Sequence, residues 1–169
     1  MSGSSLRLSD QEEMLRGNYT ARIDPKGRLK VPTVFRRLFE NRLHENHRSV
    51  ETTSLSFYVT SLTGECVRIY PLSEWEAIES RLSQIPSMDP ARRKFLDRAN
   101  YFGQQAEMDS QGRVLIHPLL RKSAAVTGEV AVLGSLTYIE IWELEKFRQR
   151  LLDDPYTLED EAAIARLGI

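Results

Sequence analysis

Tyr19, Ala21 and Ile23 alternate with Thr20, Arg22 and Asp24, the period of two that marks a strand buried on one face. Asp24-Pro25-Lys26-Gly27 then offers Asp, Pro and Gly at the first, second and fourth positions of a turn, the preferences of type I. Leu29 and Val31 alternate with Arg28 and Lys30 on a return strand. Pro32 lacks a backbone donor and suits the start of a short helix, with Val34, Phe35 and Leu38 expected to face inward. A second strand pair, 57–60 and 67–70, turns around Thr63-Gly64. Ser73-Glu74-Trp75-Glu76 reads as a capping box that opens a helix with Trp75, Ile78 and Leu82 on one face.

The series then begins again. Residues 21–37, ARIDPKGRLKVPTVFRR, align without gaps to 106–122, AEMDSQGRVLIHPLLRK. Ala21/Ala106, Asp24/Asp109, Gly27/Gly112, Arg28/Arg113 and Arg36/Arg121 are identical pairs. Further on, Val67, Ile69, Tyr70, Leu72 and Trp75 match Ile139, Ile141, Trp142, Leu144 and Phe147. The order of elements is kept, so the chain is a tandem duplication, and a repeat found early constrains the whole fold. The predicted division is a disordered arm over 1–13, a first repeat over 18–84, a connecting basic helix over 88–100, a second repeat over 102–152 and an acidic tail over 153–169. The two repeats are expected to form one compact domain, and the tail to fray from a closing helix over 144–152. Asp89-Pro90 supplies the N-cap and first-turn proline of the connecting helix.

Composition narrows the function without naming it. With 169 residues, 41% hydrophobic and 28% charged, the chain suits an ordinary globular core. The one cysteine, Cys66, excludes an internal disulfide framework and a multi-cysteine zinc site; it is expected in a strand as a buried small hydrophobe. No apolar run approaches the ~20 residues that span a bilayer, and residues 1–13 carry no signal-type stretch, which predicts a cytoplasmic protein without a membrane partner. The net charge is −1, but residues 14–37 carry +6 and 91–122 carry +4 inside an acidic background. Two basic blocks suit an anionic partner.

The repeated D-x-x-G-R turn is the candidate chemistry. Asp24 and Asp109 can accept backbone N–H groups across each turn, and Gly27 and Gly112 can take a left-handed conformation. Neither requirement explains the Arg that follows both times. Arg22, Lys26, Arg28 and Lys30 can share the polar side of the first hairpin, and a two-stranded ribbon has the width to enter a DNA major groove, where Arg reads guanine. A solvated hairpin face with Arg28 paired to Asp24 accounts for the same pattern, so the residues alone leave both readings open. Other chemistry is weaker. His44-Glu45-Asn46-His47 places its histidines three apart rather than four, and no third metal ligand is evident. Trp75, Trp142 and Phe147 read as core aromatics, and no glycine-rich phosphate loop is present. No catalytic residues, metal or cofactor are assigned.

The stretch from Met14, MLRGNYTARIDPKGRLKVPTVFRR, with the second copy and Tyr70-Pro71-Leu72-Ser73-Glu74-Trp75, resembles the bacterial MraZ family over residues 14–152. His117 departs from the family pattern, which more often has a second proline there. The resemblance implies a mostly β protein with short helices (α+β), an AbrB-like swapped-hairpin double-split β-barrel built from the tandem repeat. It implies a non-enzymatic, nucleoid-associated regulator that binds short direct repeats of double-stranded DNA in a promoter and represses its own division and cell-wall gene cluster. It further implies a ring-shaped homo-oligomer with no small-molecule substrate. Arg28 would carry the main DNA contact, with Arg22, Lys26, Lys30 and secondarily Arg113, while Asp24, Gly27, Asp109 and Gly112 shape the turns. AbrB-like folds also serve as antitoxins or adaptors, which keeps a protein-interaction module as the alternative.

Overall fold

The computed structural model describes residues 13–46 and 54–169; the expected arm over 1–13 and His47 therefore fall, except for Glu13, outside the described residues. The first repeat supplies β1 (Asn18–Ile23), β2 (Arg28–Lys30), α1 (Thr33–Asn46), β3 (Ser56–Thr60), β4 (Val67–Pro71) and α2 (Leu72–Ser83). After α3 (Pro90–Tyr101) the second supplies β5 (Gln104–Glu107), β6 (Arg113–Leu115), α4 (Pro118–Ala124), β7 (Gly128–Ser135), β8 (Tyr138–Glu143) and α5 (Leu144–Asp153). A last helix, α6 (Leu158–Arg166), follows. The antiparallel sheet runs β5-β3-β4-β8-β7-β1-β2-β6. Asp109 N–H donates to Arg113 O at 2.9 Å, bringing β6 back to β5 and nearly closing the barrel.

Apart from the β3–β4 and β7–β8 hairpins and a single β1–β2 pair, every strand pairing joins one repeat to the other. β1 pairs with β7 over six residues, and β5 pairs with β3 in the equivalent way. β2 pairs with β6 so that Arg28 faces Leu115, Leu29 faces Val114 and Lys30 faces Arg113. Because Arg28, Leu29 and Lys30 are the repeat equivalents of Arg113, Val114 and Leu115, an approximate two-fold axis passes through the Leu29/Val114 pair. The same axis passes through β4 and β8, where Val67 faces Ile141, Arg68 faces Glu140 and Ile69 faces Ile139. The duplicated chain thus folds as an internal pseudo-dimer with exchanged strands, the AbrB-like arrangement. Arg68 and Glu140, equivalent positions meeting on the axis, form an ion pair at 3.2 Å.

The core fills the barrel with matched side chains from both repeats: Leu29 with Val114, Val31 with Ile116, Phe35 with Leu120, Val67 with Ile139 and Ile69 with Ile141, all at most 3% exposed. A smaller aromatic cluster forms where Trp75 stacks on Tyr58 and Phe95. It seats the connecting helix α3, whose N-cap Asp89 accepts the Arg92 N–H at 3.0 Å. Leu15, ahead of the expected repeat, is fully buried and bridges to Leu136.

Several local expectations change. Val34 is exposed, because at this position α1 turns its side chain away from the buried Phe35 face. The capping box at Ser73 does not form: α2 starts at Leu72 directly after β4, with Pro71 at the N-cap and no side-chain cap. Cys66 lies just before β4 rather than within it, still buried, and burial pushes its thiol up to about 12, leaving little thiolate nucleophile. Trp142 is buried but Phe147 only half-buried against it, since α5 lies on the barrel surface. The acidic tail is not frayed throughout. Thr157 and Asp160 form a reciprocal capping box that opens α6, with three acidic residues in its first turn favoured by the helix dipole.

Candidate nucleic-acid interface

Both D-x-x-G-R turns have one geometry. Asp24 Oδ1 accepts the backbone N–H of Lys26 at 3.0 Å and of Arg28 at 2.9 Å, and its Oδ2 accepts Arg28 Nε at 2.7 Å. Asp109 repeats this with Gln111 and Arg113 at 2.9, 2.9 and 2.7 Å. The Arg28 backbone N–H is the largest influence holding the Asp24 carboxyl below its usual range. At Asp109 burial pulls upward, but the Arg113 N–H and guanidinium with the Gln111 N–H outweigh it, and the result is again lowered. Each arginine is therefore held at a partner whose ionised form is favoured, with its side chain partly buried and its direction fixed.

Gly27 and Gly112 close the turns at φ +86° and +76°, where an L side chain is strained. A second constraint applies. A Cβ on Gly27 would collide with the Arg121 guanidinium, and one on Gly112 with that of Arg36. Val31 N–H donates to Gly112 O at 3.0 Å and Ile116 N–H to Gly27 O at 2.9 Å, which ties each turn to the strand following the other.

The expected ribbon was the first hairpin alone; its composition is different. β1 meets β2 only at Ile23 and Leu29, then diverges to pair with β7, so the partner of β2 is β6 of the other repeat. Arg28, Lys30, Arg113 and Leu115 lie on the ribbon face opposite the buried Leu29 and Val114. Arg22 sits on β1 opposite Glu129 of β7. A cavity of about 580 Å³ brings together Arg22, Arg28, Lys30, Arg113 and Arg121, with Asp24 as the one acid in its lining. Arg113 Nη1 comes within 3.9 Å of Asp24 Oδ2, so the two turns share a carboxylate. Lys26 stands exposed in its turn and does not line this cavity. Relative to the first turn, the second exchanges Arg22 for Glu107, Lys26 for Gln111 and Lys30 for Leu115.

Sequence reasoning missed Arg121. The Arg36/Arg121 identity was its signal, but helical spacing alone could not show that each arginine folds over the turn glycine of the opposite repeat. Among the described residues no cluster of three or more His, Cys, Asp and Glu side chains could hold a metal, and the side chain of His44 is not among those described. No described helix is long and apolar enough to cross a membrane.

His117 begins α4 at 6% exposure, with Nδ1 shielded from water and lacking a partner among the described residues. Burial lowers its pKa most; the backbone of Phe102 opposes this and Arg121 adds to it. Folding then favours the neutral ring. Its stability is intact above the unfolded value of roughly 6.5 and declines as pH falls below it, where the unfolded chain binds a proton the folded one resists. His117→Asn, which places a favourable residue at the N-cap, is expected to lose less stability between pH 7 and 5 than the parent chain. Urea midpoints across that range check this, and parallel declines would place the sensitivity elsewhere.

A family model described as "MraZ protein, putative antitoxin-like" matches residues 14–98 and 103–166, one segment for each repeat. The chain is 49% identical over 156 residues to a protein of Acidobacterium capsulatum and 45% identical over 156 residues to one of Koribacter versatilis; each match covers 92% of this chain and all of the relative. It is 35% identical over 141 residues to a protein of Escherichia coli, covering 83% of this chain and 87% of that one. All three carry the name transcriptional regulator MraZ. Two matched segments, the exchanged-strand barrel and near-complete coverage of these relatives agree: the chain belongs to the MraZ family.

Proposed function

We propose that this protein is a non-enzymatic transcription regulator that binds double-stranded DNA through the face formed where its two repeats meet. The observation that carries this is the gathering of Arg22, Arg28, Lys30, Arg113 and Arg121 around one cavity with a single lining carboxylate. Like charges held this close repel one another, and a polyanion offsets that cost. Arg28 and Arg113, aimed by their aspartates, are suited to base edges, whereas Lys26, Lys30 and Arg22 are suited to phosphates that set the register. Asp24, Gly27, Asp109 and Gly112 act by shaping the turns. The regulated DNA is a set of short direct repeats upstream of its own division and cell-wall gene cluster, with repression as the sign. The working form is a nucleoid-associated ring, in which several such faces engage adjacent repeats and raise avidity by about 10²–10⁴ over one.

Footprinting upstream of its own gene, combined with a salt titration, tests this. Evenly spaced protection is expected, with log affinity falling against log salt by about 0.9 for each phosphate neutralised. The antitoxin-like wording of the family description favours a second reading, a module that binds a protein through the same face. An unprotected promoter with a flat salt response of partner binding would support that reading instead.

A further inference from the structure

Arg36 and Arg121 occupy equivalent positions but not equivalent environments. Arg36 lies over Gly112, donates from Nε to Glu40 at 3.0 Å and from Nη2 to Ser110 O at 3.4 Å. Glu40 is available because α1 continues past it to Asn46. The equivalent helix α4 has seven residues and stops, and the position four beyond Arg121 is Ala125, a C-cap with φ +55°. Arg121 lies over Gly27 with its Nε shielded from water and without a hydrogen-bond partner among the described residues. An arginine N–H withheld from both water and protein acceptors is left unsatisfied, and a shift of the guanidinium off Gly27 would present it to an acceptor in the cavity. It lies in the wall of the same cavity as Arg22, Arg28, Lys30 and Arg113.

The near-symmetry makes this informative. In one half the fold supplies its own acid to the arginine over the turn; in the other it leaves the acid out and opens a cavity of about 580 Å³, roomy enough for a phosphate with its waters. Asp24 in that lining is already engaged by Arg28 Nε and the Lys26 and Arg28 backbone N–H groups, so it does not neutralise Arg121. Planar guanidinium forks match the oxygens of a tetrahedral phosphoryl group better than a halide.

We propose that this cavity is a single-phosphate site in which Arg121 replaces its missing carboxylate with a phosphate oxygen, with Arg22 and Lys30 as the other phosphate-facing cations of the lining. The proposal deepens the DNA-binding reading and rests on it for the source of the phosphate, a backbone phosphodiester next to the bases that the paired ribbon contacts. Arg121 thus acts as a positioning residue: it fixes the register of the ribbon without reading sequence.

The test uses the full-length protein with two probes, inorganic phosphate and a duplex carrying the protected repeats. Phosphate is expected to raise the Tm of the wild type more than chloride at matched ionic strength, and to do so in Arg36→Gln but not in Arg121→Gln. On DNA, Arg121→Gln is expected to weaken cognate and scrambled duplexes alike, by roughly tenfold, and to make the salt slope shallower by about 0.9. Wild-type protein that responds equally to phosphate and chloride overturns the proposal, whether or not the variant folds. So does an Arg121→Gln protein with an unchanged phosphate response or salt slope; in that case wild-type DNA binding still stands. Phosphate protection that depends on Arg121 in a protein that binds no duplex supports the site, assigns it to a free phosphorylated ligand and removes the DNA reading.

Discussion

Arg28→Ala is expected to abolish the proposed specific DNA binding while leaving the fold and the proposed oligomer intact. Its guanidinium is aimed by Asp24 at 2.7 Å and stands on the solvent face of the β2–β6 ribbon. Losing one bidentate Arg–guanine contact removes about 1–3 kcal/mol per subunit, and an assembly engaging several repeats multiplies the loss at each. The fold should tolerate the change. Asp24 keeps its bonds to the Lys26 and Arg28 backbone N–H groups, and a partly exposed ion pair contributes at most about 1 kcal/mol. Arg113→Ala should be milder, because its turn carries Gln111, Leu115 and Glu107 where the first has Lys26, Lys30 and Arg22. Mobility shifts with cognate and scrambled duplexes, alongside melting temperatures, separate affinity from stability. Equal damage from both variants at unchanged Tm would mean that the two turns read DNA as one unit, as their shared Asp24 permits.

Reversing Arg68 to Glu is expected to be the most destabilising single charge change in the barrel. Arg68 and Glu140 meet on the pseudo-two-fold axis, with side chains 29% and 15% exposed, and Glu140 also accepts from Trp142 Nε1. Arg68→Glu sets two carboxylates against each other there, and Glu140→Arg sets two guanidiniums. Each is expected to cost about 3 kcal/mol, since a mostly dehydrated charge loses its partner and gains a repulsive one. For a chain of this size that is a fall in Tm of roughly 6–12 °C. The double reversal restores the pair with opposite polarity and should recover more than half. Calorimetry on the three variants and the parent completes the cycle; additive losses would show that the two residues are not coupled.

The strand pattern, the two turns and the order of elements were legible because each depends on neighbours a few residues apart. Alternation set β1, turn chemistry set Asp24–Gly27, and Asp89-Pro90 set the start of α3. The duplication itself was legible as self-similarity, and with the family resemblance it carried the fold. Pairing partners were not. Nothing local to Arg28, Leu29 and Lys30 tells β2 to join Arg113, Val114 and Leu115 rather than extend its own hairpin, because Leu29 buries its side chain in either arrangement. For that reason the ribbon was expected from one repeat's hairpin, whereas β2 and β6 of the two repeats form it. Arg121 was invisible as a site residue because its significance lies in a comparison: Glu40 beside Arg36, and a helix that ends before an equivalent acid can appear.

The exchange of strands also dictates how the protein comes into being on the ribosome. β1 is made before β7, yet β7 is its partner in the finished ladder, from Asn18 opposite Leu133 to Ile23 opposite Gly128. At about 5–20 residues per second, the intervening chain takes roughly 5–20 s to emerge. Throughout that interval β1 has an open edge facing no native neighbour within its own repeat beyond the single Ile23–Leu29 pair. The nascent first repeat, in a cell translating many copies, is thus a strand donor in search of a β7, and one on an adjacent chain fits as well as its own. Arg16, Arg22 and Lys26 in and around β1 place positive charge along that waiting edge, the kind of charge that keeps unpaired strands from joining one another before their proper partner arrives.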